Sequence, residues 1–215
     1  MLFIEALQFI VEHPSRFADA LTTHVALSAA ALGLAIAVAV PVGVLLAGNR
    51  RAALLAITAA NVGRTLPSLA VLALVMPLLG TGFVPALFAL TLLALPPILI
   101  NTCAALQQVD ADLVDAARGM GMTYAQVMNQ VELPVAMPVI FAGIRTASVQ
   151  VVSGAVLASY IGGGGLGDFI TAGIAMMALP QLLVGAIPAT MLALGADWLF
   201  GLLQRTLTPV GMRAT

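Results

Sequence analysis

Five apolar stretches, each long enough to cross a lipid bilayer, dominate this chain of 215 residues. A helical span needs about 20 consecutive, mostly apolar residues. Because a backbone in hydrocarbon must satisfy its polar groups internally, we expect each stretch to be a helix. The sequence therefore predicts an all-α, polytopic membrane protein with five transmembrane helices. The predicted spans are Val25–Ala47, Leu54–Leu79, Val84–Leu106, Val139–Tyr160 and Leu182–Leu203.

The composition narrows the class of protein further. Only 8% of the residues are charged, whereas soluble domains carry about 25% because their surface must be hydrated. Much of this surface must therefore face lipid. The net charge of −1 gives no basic face for a nucleic acid. Cys103 is the only cysteine, so the chain has no internal disulfide and no thiolate metal cluster.

The arginines predict the orientation, because basic residues in short loops stay cytoplasmic. With five spans, one side of the membrane holds Arg50, Arg51, Arg118, Arg205 and Arg213, and the other holds Arg16. We expect the N-terminus outside, and the loop 107–138 and the C-terminus in the cytoplasm. Residues 1–24 are predicted to form an outer interfacial segment with short helices at Leu2–Val11 and Arg16–Thr23, interrupted at Pro14. Residues 25–215 then form the membrane domain.

The loop between the third and fourth spans predicts a helix–turn–helix. Asp110 is a good helix N-cap, Gly119 and Gly121 allow a turn, and Thr123 can cap a second helix running to Val131. One helical face carries an apolar stripe with i, i+3, i+4, i+7 spacing: Leu113, Ala116, Ala117 and Met120. Such a surface suits docking into a groove of a partner protein.

The same loop carries a recognisable motif. Asp115-Ala116-Ala117, three residues, Gly121, nine residues and Val131-Glu132-Leu133-Pro134 resemble the EAA coupling motif of bacterial binding-protein-dependent ABC permeases. That motif reads E-A-A, three residues, G, nine residues, I-x-L-P, so Asp replaces Glu and Val replaces Ile here. The resemblance implies that this helix sits in a cleft of a cytoplasmic ATPase subunit and transmits ATP-driven closure. The implied coupling residues are Asp115, Ala116, Ala117, Gly119, Gly121, Met122, Val131, Leu133 and Pro134.

The resemblance extends over most of the chain, to the branch that imports glycine betaine, carnitine or choline. The matching segments are 61–70, 77–82, 119–123, 131–134, 142–147 and 161–167. It implies a type I importer permease fold, like that of methionine importers, in the bacterial inner membrane. The implied partners are two cytoplasmic ATPase subunits, which hold ATP and Mg²⁺, a second permease copy (identical or paralogous) and an external binding protein. No cofactor is expected on this chain itself.

One departure from that branch bears on the cargo. Arg64 stands where the branch often has Gln, and a cation near the path is ill-suited to a choline-like cargo. A zwitterion with a carboxylate would tolerate it. A permease of the same fold for another small solute, such as an amino acid, is the alternative.

Several polar side chains fall within the predicted spans, where charges usually face a cavity or the bundle interior. Arg145 and Asp197 each lie about 9 Å from the cytoplasmic edge at about 1.5 Å per residue, so we predict an ion pair. The alternative is that each snorkels separately to the headgroups. We predict that the translocation path is lined by Asn61, Arg64, Thr65, Ser68, Ser148 and Ser153. For the two serines of the fourth span, interhelical hydrogen bonding is the alternative. If its helix begins near Ala59, Arg64 is interfacial instead.

Catalysis and metal binding find no support in the sequence. His13 and His24 lie outside the predicted spans and lack acidic or cysteine partners at metal-ligand spacing. An intramembrane enzyme would need a pair such as Ser-Lys or His-Glu within the spans, and none is present. A passive channel or secondary carrier would not need a docking loop.

Overall fold

The computed structural model describes residues 2–207, and all the regular structure within them is helical. The helices are α1 (Leu2–Glu12), α2 (Pro14–Ala47), α3 (Arg50–Arg64), α4 (Ser68–Leu79), α5 (Phe83–Gln107), α6 (Ala111–Gly119), α7 (Tyr124–Val127), α8 (Leu133–Gly154), α9 (Gly167–Ala175) and α10 (Leu179–Leu207). A π-helical turn, Met128–Glu132, joins α7 to α8, and a 3₁₀ segment, Ala155–Ile161, follows α8. Arg213, used above for the orientation, lies outside the described residues.

The N-terminal region differs from the prediction in one respect. The short helix predicted at Leu2–Val11 is confirmed as α1. The separate helix predicted at Arg16–Thr23 is wrong, because α2 runs without a break for 34 residues from Pro14. Proline is well tolerated in the first turn of a helix, where its missing N–H would have had no partner. Pro14 therefore begins the first span instead of ending an interfacial helix, and residues 24 and 25 share one helix.

The second predicted span, Leu54–Leu79, is wrong as a single helix. Its residues belong to α3 and α4, which are bent by 94° to each other. Pro67 lacks an N–H and disfavours the helical conformation of the residue before it, Leu66, so the helix ends there. The two helices have 15 and 12 residues, and each is shorter than the roughly 20 residues of a full span.

The other three spans are confirmed with shifted ends. α5 adds one residue at each end of the predicted Val84–Leu106. α8 begins six residues before the predicted start at Val139, because Pro134 lies in its first turn and Pro138 is accommodated within the helix. α10 extends beyond Leu182–Leu203 at both ends.

Helices α2, α5 and α8 form the centre of the bundle, with α3 and α4 beside α5, and α10 beside α8. Close approach between them depends on small residues, as is usual in membranes. A Cβ atom on Gly143 of α8 would lie 2.8 Å from the Pro97 carbonyl oxygen of α5, and one on Gly43 of α2 would lie 2.6 Å from the Thr102 methyl carbon. The buried core between these helices includes Leu27, Leu90 and Ile98.

The two ends of the bundle are distinguished by their contacts. At one end, the Tyr124 hydroxyl at the start of α7 lies beside Gly48, in the turn between α2 and α3. At the other end, the Gly82 N–H donates to the Ile161 carbonyl at 2.7 Å, next to the glycine-rich segment 162–167. The α3–α4 pair begins at the first end and finishes at the second. Counted as one crossing, it brings the spans among residues 2–207 to five.

Candidate functional site

The 107–138 loop is organised by short-range hydrogen bonds. Asp110 caps α6, its Oδ1 accepting the Asp112 N–H at 2.9 Å. Thr123 caps α7 through a reciprocal pair: its hydroxyl oxygen accepts the Gln126 N–H, and Gln126 Oε1 accepts the Thr123 N–H at 2.8 Å. Both predicted N-caps are confirmed. They satisfy backbone donors that would otherwise lack partners at the helix starts.

The turn between α6 and α7 depends on one glycine. Gly121 has φ of 85°, a left-handed conformation that costs other residues conformational energy. Its N–H donates to the Arg118 carbonyl at 2.9 Å, and the following Met122 N–H donates to the Ala117 carbonyl at 3.2 Å. A Cβ at Gly121 would meet nothing within 4 Å. The constraint on this position is therefore the backbone angle alone.

The outer face of the loop is apolar and exposed. Leu113 is 48% exposed, Met120 77% and Tyr124 64%, and Ala116 is also exposed. Ala117, predicted on the same stripe, instead turns inward and is buried. We call Leu113, Ala116, Met120 and Tyr124 the loop face. Exposed apolar side chains grouped on a segment too short to span a membrane are typical of a protein–protein contact.

The second half of the loop connects directly to a membrane helix. The helix predicted to reach Val131 continues as α7 and the π-helical turn into α8, with no break in the helical backbone. Leu133 packs against the core of the bundle, whereas Pro134 is exposed. Of the loop face, Tyr124 therefore belongs to a helix that continues into α8, whereas Leu113, Ala116 and Met120 precede the turn at Gly121.

The bend between α3 and α4 gathers four predicted path residues. Asn61, Arg64 and Thr65 are exposed, and Ser68 is partly exposed. Arg64 occupies the last turn of α3, where a cation is favoured by the helix dipole. Since α3 begins at Arg50, the alternative start near Ala59 is not what the structure shows. Polar groups exposed within a membrane-spanning element require water or protein around them.

Arg145 of α8 and Asp197 of α10 form a two-pronged ion pair. Arg145 Nε donates to Asp197 Oδ1 and Nη2 donates to Oδ2, both at 2.7 Å. Gly201 leaves room for the guanidinium, since a Cβ there would lie 3.3 Å from Arg145 Cζ. The structure brings the two side chains together, and each stays about two-fifths exposed. A half-exposed ion pair within the membrane also requires a polar neighbour.

The two candidate path serines of α8 are placed differently. Ser148 is buried, and its hydroxyl donates to the Arg145 carbonyl of its own helix at 2.7 Å. Ser153 is exposed. Of the pair, only Ser153 thus lies at the surface of this chain.

The end of the bundle opposite the loop face holds a polar pocket that the sequence did not indicate. It has a volume of about 350 Å³ and is bordered by Arg16, Asp19 and Asp168. The Arg16 guanidinium lies 5.4 Å from the centre of the buried Phe169 ring, a cation–π contact. Burial raises the pKa of the Asp168 carboxyl, and the positive charge of Arg16 partly offsets this. Long-range packing of α2 against α9 creates the pocket, so no local pattern could reveal it.

The two histidines are far from forming a metal or catalytic centre. His13 Nδ1 lies 3.2 Å from the Phe9 carbonyl oxygen, and His24 Nε2 lies 3.1 Å from that of Val152. Among residues 2–207, no three His, Cys, Asp or Glu side chains gather as a metal site requires. The described geometry centres on the loop face, a bent span and an ion pair.

Comparison with known families gives a match that includes the loop face, the bend and the ion pair. Residues 39–209 match a family described as "Binding-protein-dependent transport system inner membrane component". The match covers α3 to α10 in full, and with them the loop face, the bend between α3 and α4 and the ion pair.

Three curated relatives are similar over most of their length. The chain is 44% identical to the choline transport system permease protein OpuBB of Bacillus subtilis (strain 168), covering 88% of each chain. It is 47% identical to the carnitine transport permease protein OpuCB of Listeria monocytogenes, covering 88% of this chain and 87% of the relative. It is 39% identical to the osmoprotectant import permease protein OsmW of Salmonella typhimurium, covering 98% and 100%.

Solved structures share the fold. A structure of the MetNI methionine ABC transporter in an inward-facing conformation superposes with a TM-score of 0.79, at 22% identity, over 92% of this chain and 99% of that chain. An amino acid ABC transporter crystallised with histidines gives a TM-score of 0.74 at 21% identity, over 93% and 97%. At such identities the likeness concerns the fold alone.

Proposed function

Because the chain belongs to the family of binding-protein-dependent transport system inner membrane components, we propose that it imports an osmoprotectant of the glycine betaine, carnitine and choline class. The chain is a permease subunit of an ABC importer in the inner membrane, and not an enzyme. The observation that carries the cargo proposal is the 39–47% identity to permeases named for choline, carnitine or osmoprotectants, over nearly nine-tenths of the chain or more.

Within that class, the bend between α3 and α4 favours a cargo with a carboxylate. Arg64 is exposed there, and the chain provides a fixed cation where the cargo is proposed to pass. A guanidinium attracts a carboxylate, and it repels a cation that has no carboxylate of its own. Glycine betaine and carnitine carry a carboxylate, whereas choline does not. We therefore place the zwitterions ahead of choline as cargo.

The loop face is the proposed contact with an ATPase subunit. Its apolar side chains are exposed at one end of the bundle, where Tyr124 lies beside the turn that precedes Arg50 and Arg51. Asp115, Ala116, Gly121 and their neighbours in the coupling motif would lie in a cleft of that subunit. ATP and Mg²⁺ would be bound by the partner, and closure of two such subunits would move α8 through the continuous α7–α8 connection.

A second permease copy is proposed to complete the path. The bend at Asn61–Ser68 and the Arg145–Asp197 pair both present polar groups at the membrane-embedded surface of this chain. If this chain faced a second copy across a water-filled path, the polar groups of the bend and of the ion pair would both have water or protein around them. In this arrangement the loop face is cytoplasmic, the N-terminus is outside, and the glycine-rich segment 162–167 faces the external binding protein.

The test of the cargo is uptake by the complete transporter. Permease, ATPase subunits and binding protein are reconstituted in vesicles, and ATP-dependent uptake of labelled glycine betaine, carnitine, choline and methionine is compared. We expect uptake of glycine betaine or carnitine to exceed that of choline, with none of methionine. Arg64→Gln should narrow the gap between zwitterion and choline, with Arg64→Lys as the matched control that keeps the charge. Uptake of methionine instead of the osmoprotectants would contradict the proposal.

A further inference from the structure

The turn between α7 and α8 has a hydrogen-bonding pattern that is rare in proteins. Residues Met128–Glu132 are π-helical, and the Leu133 N–H donates to the carbonyl of Met128, five residues earlier. An α-helix would make this bond four residues back. Single π turns within α-helices are frequent at functional sites. This one joins the loop proposed to contact an ATPase subunit to a helix that spans the membrane.

Proline alone does not explain the π turn. Pro134 follows it and has no N–H for a bond to the Gln130 carbonyl. Pro138, however, lies within α8 without causing a π turn of its own. One side chain supports the turn from inside, since Asn129 Nδ2 donates to the Ala125 carbonyl at 2.9 Å. A further reason must lie in what the turn does to its neighbours.

The extra residue of the π turn changes the side of the helix to which the preceding residues point. Met128 lies 8 positions before Ala136 and 12 before Ile140. In an unbroken α-helix, at about 100° per residue, Met128 would point about 80° and about 120° away from them. Because the π turn takes up one extra residue, both differences fall to about 20°. The turn thus brings Met128 onto the side of the helix that carries Ala136 and Ile140.

Burial agrees with this calculation. Met128 is 8% exposed, and Ala136 and Ile140 are each 2% exposed. All three belong to the same core cluster, and Leu133, directly after the turn, packs against that cluster. The residues on both sides of the π turn are therefore held by packing against the bundle.

The first half of the loop is attached to the second half and to the π turn. Helix α6 packs against α7 and against the π turn, with Ala117 buried. The Met122 N–H, beyond the turn at Gly121, donates back to the Ala117 carbonyl at 3.2 Å. The direction in which the loop face points therefore depends on the rotational position of α7 relative to α8, which the π turn determines.

We propose that the π turn fixes the rotational position of the loop face about the axis of α8, and that transport depends on this position. The inference rests on the contact between the loop face and an ATPase subunit proposed above. The packing and hydrogen bonds around the turn favour a rigid connection over a flexible joint. A loop rotated by one residue of an α-helix, about 100°, would present a different side to the ATPase subunit.

The test removes or adds one residue in the complete reconstituted transporter. Deletion of Gln130, an exposed residue of the turn, leaves Met128 and Ala136 one position closer, so a regular α-helix gives the same difference of about 20°. We expect this chain to keep ATP-dependent uptake. An alanine inserted between Asn129 and Gln130 adds about 100° of rotation. We expect it to abolish uptake per permease in the membrane.

A matched control separates rotation from length. An alanine inserted between Val109 and Asp110 also lengthens the loop by one residue, but it lies before α6 and leaves the π turn unaltered. This chain should keep uptake. Gln130→Ala, which keeps the length of the turn and changes only an exposed side chain, should also keep it.

A cross-link measures the rotational position without transport. The Tyr124 hydroxyl lies 3.5 Å from the place of a Cβ at Gly48, so Tyr124→Cys and Gly48→Cys put one thiol on each side of this contact. Cys103→Ala removes the native thiol. A short bifunctional thiol reagent should join the two cysteines in the full-length chain and in the chain lacking Gln130. It should fail in the chain with the alanine inserted before Gln130.

Four results would overturn the proposal. Loss of uptake in the chain lacking Gln130, with the cross-link kept, would show that the π turn is a flexible joint. Failure of that chain to reach the membrane would show that the fold itself needs the extra residue. Uptake by the chain with the alanine inserted before Gln130 would show that the rotational position is unimportant. A cross-link in that chain would show that other contacts set the position.

The cross-link also separates this inference from the proposed function. It needs neither ATP nor an ATPase subunit, so it reports the rotational position even if the assignment of the loop face is wrong. Absence of ATP-dependent uptake by the unaltered transporter would contradict the proposed function, whereas a cross-link that is insensitive to the inserted alanine would contradict the role of the π turn.

Discussion

The loop face and the bend between α3 and α4 differ in the polarity of their exposed side chains. Leu113 and Met120 are apolar and project from an end of the bundle. Arg64 and Thr65 are polar and are exposed within a membrane-spanning element. In an isolated chain, the apolar side chains would meet water and the polar ones would meet lipid, and both contacts are unfavourable. The loop face therefore calls for a protein partner, whereas the bend calls for water or a polar partner within the membrane.

The two regions also differ in what holds their shape. The loop is held by contacts between residues two to five positions apart, such as the Asp110 and Thr123 caps. The bend is caused locally by Pro67, but its angle of 94° is maintained by the packing of α3 and α4 against α5. Substitutions in the loop should therefore change the stability of the loop alone, whereas substitutions in the spans should change the stability of the whole bundle.

The largest effect is expected from breaking the ion pair on one side only. Asp197→Ala leaves the Arg145 charge unpaired in the membrane, which is more costly than removing both charges. We expect a several-fold fall in the amount of permease in the membrane, measured by immunoblot, and recovery of much of it in Arg145→Leu/Asp197→Leu. If the amount of permease falls equally in the single and double variants, the two side chains are not energetically coupled.

The next effect concerns the loop face. Met120→Asp places a charge on the apolar surface proposed to be covered by the ATPase subunit. Interface residues that matter cost more than about 1 kcal/mol on alteration, so affinity should fall by about five-fold or more. The measurement is binding of the purified ATPase subunit to the permease in detergent. Met120→Leu is the matched control. Unchanged binding of Met120→Asp would remove the loop face from the contact.

A smaller effect should separate the two glycines of the turn. At Gly121, with φ of 85°, alanine is strained by about 1–2 kcal/mol. Gly119 is the last residue of α6, and a Cβ there, as at Gly121, would meet nothing within 4 Å. Gly119→Ala should therefore be nearly neutral. Hydrogen exchange of the amides in residues 110–123 should accelerate in Gly121→Ala only; equal acceleration in both would mean that the backbone angle is not the cause.

The smallest effect is expected at the second cap. Thr123→Ala removes the hydroxyl that accepts the Gln126 N–H and should destabilise α7 by about 1 kcal/mol. Thr123→Ser keeps the hydroxyl and should behave like the unaltered protein. Hydrogen exchange of residues 124–128 reports the change. If it extends to α5 or α10, the loop is not the independent local unit described here.

These differences also explain what the sequence could predict. The caps at Asp110 and Thr123 and the turn at Gly121 follow from residues close together in the chain, so they were predictable. The pairing of Arg145 with Asp197 followed from equal depth in two spans. The continuity of α2 does not follow from the sequence, because Pro14 is compatible both with a break and with the start of a helix. The bend at Pro67 does not follow either, because prolines also occur inside unbroken helices, as Pro97 does in α5.

Features that depend on long-range packing had no sequence signal. Ala117 lies on the predicted apolar stripe, yet the fold of α6 against α7 and the π-helical turn buries it. His24 is one histidine near the start of a span, and only the approach of α8 places its Nε2 at the Val152 carbonyl.

We propose that the loop face lies in the cytoplasm and is covered by an ATPase subunit, and a single thiol on that face tests this claim. Replacing the buried Cys103 by Ala gives a cysteine-free chain, in which Met120→Cys places one thiol on the loop face. A membrane-impermeant maleimide should label this thiol in inside-out vesicles and not in intact cells, and added ATPase subunit should protect it. Labelling from outside in intact cells, or no protection by the ATPase subunit, would contradict the claim.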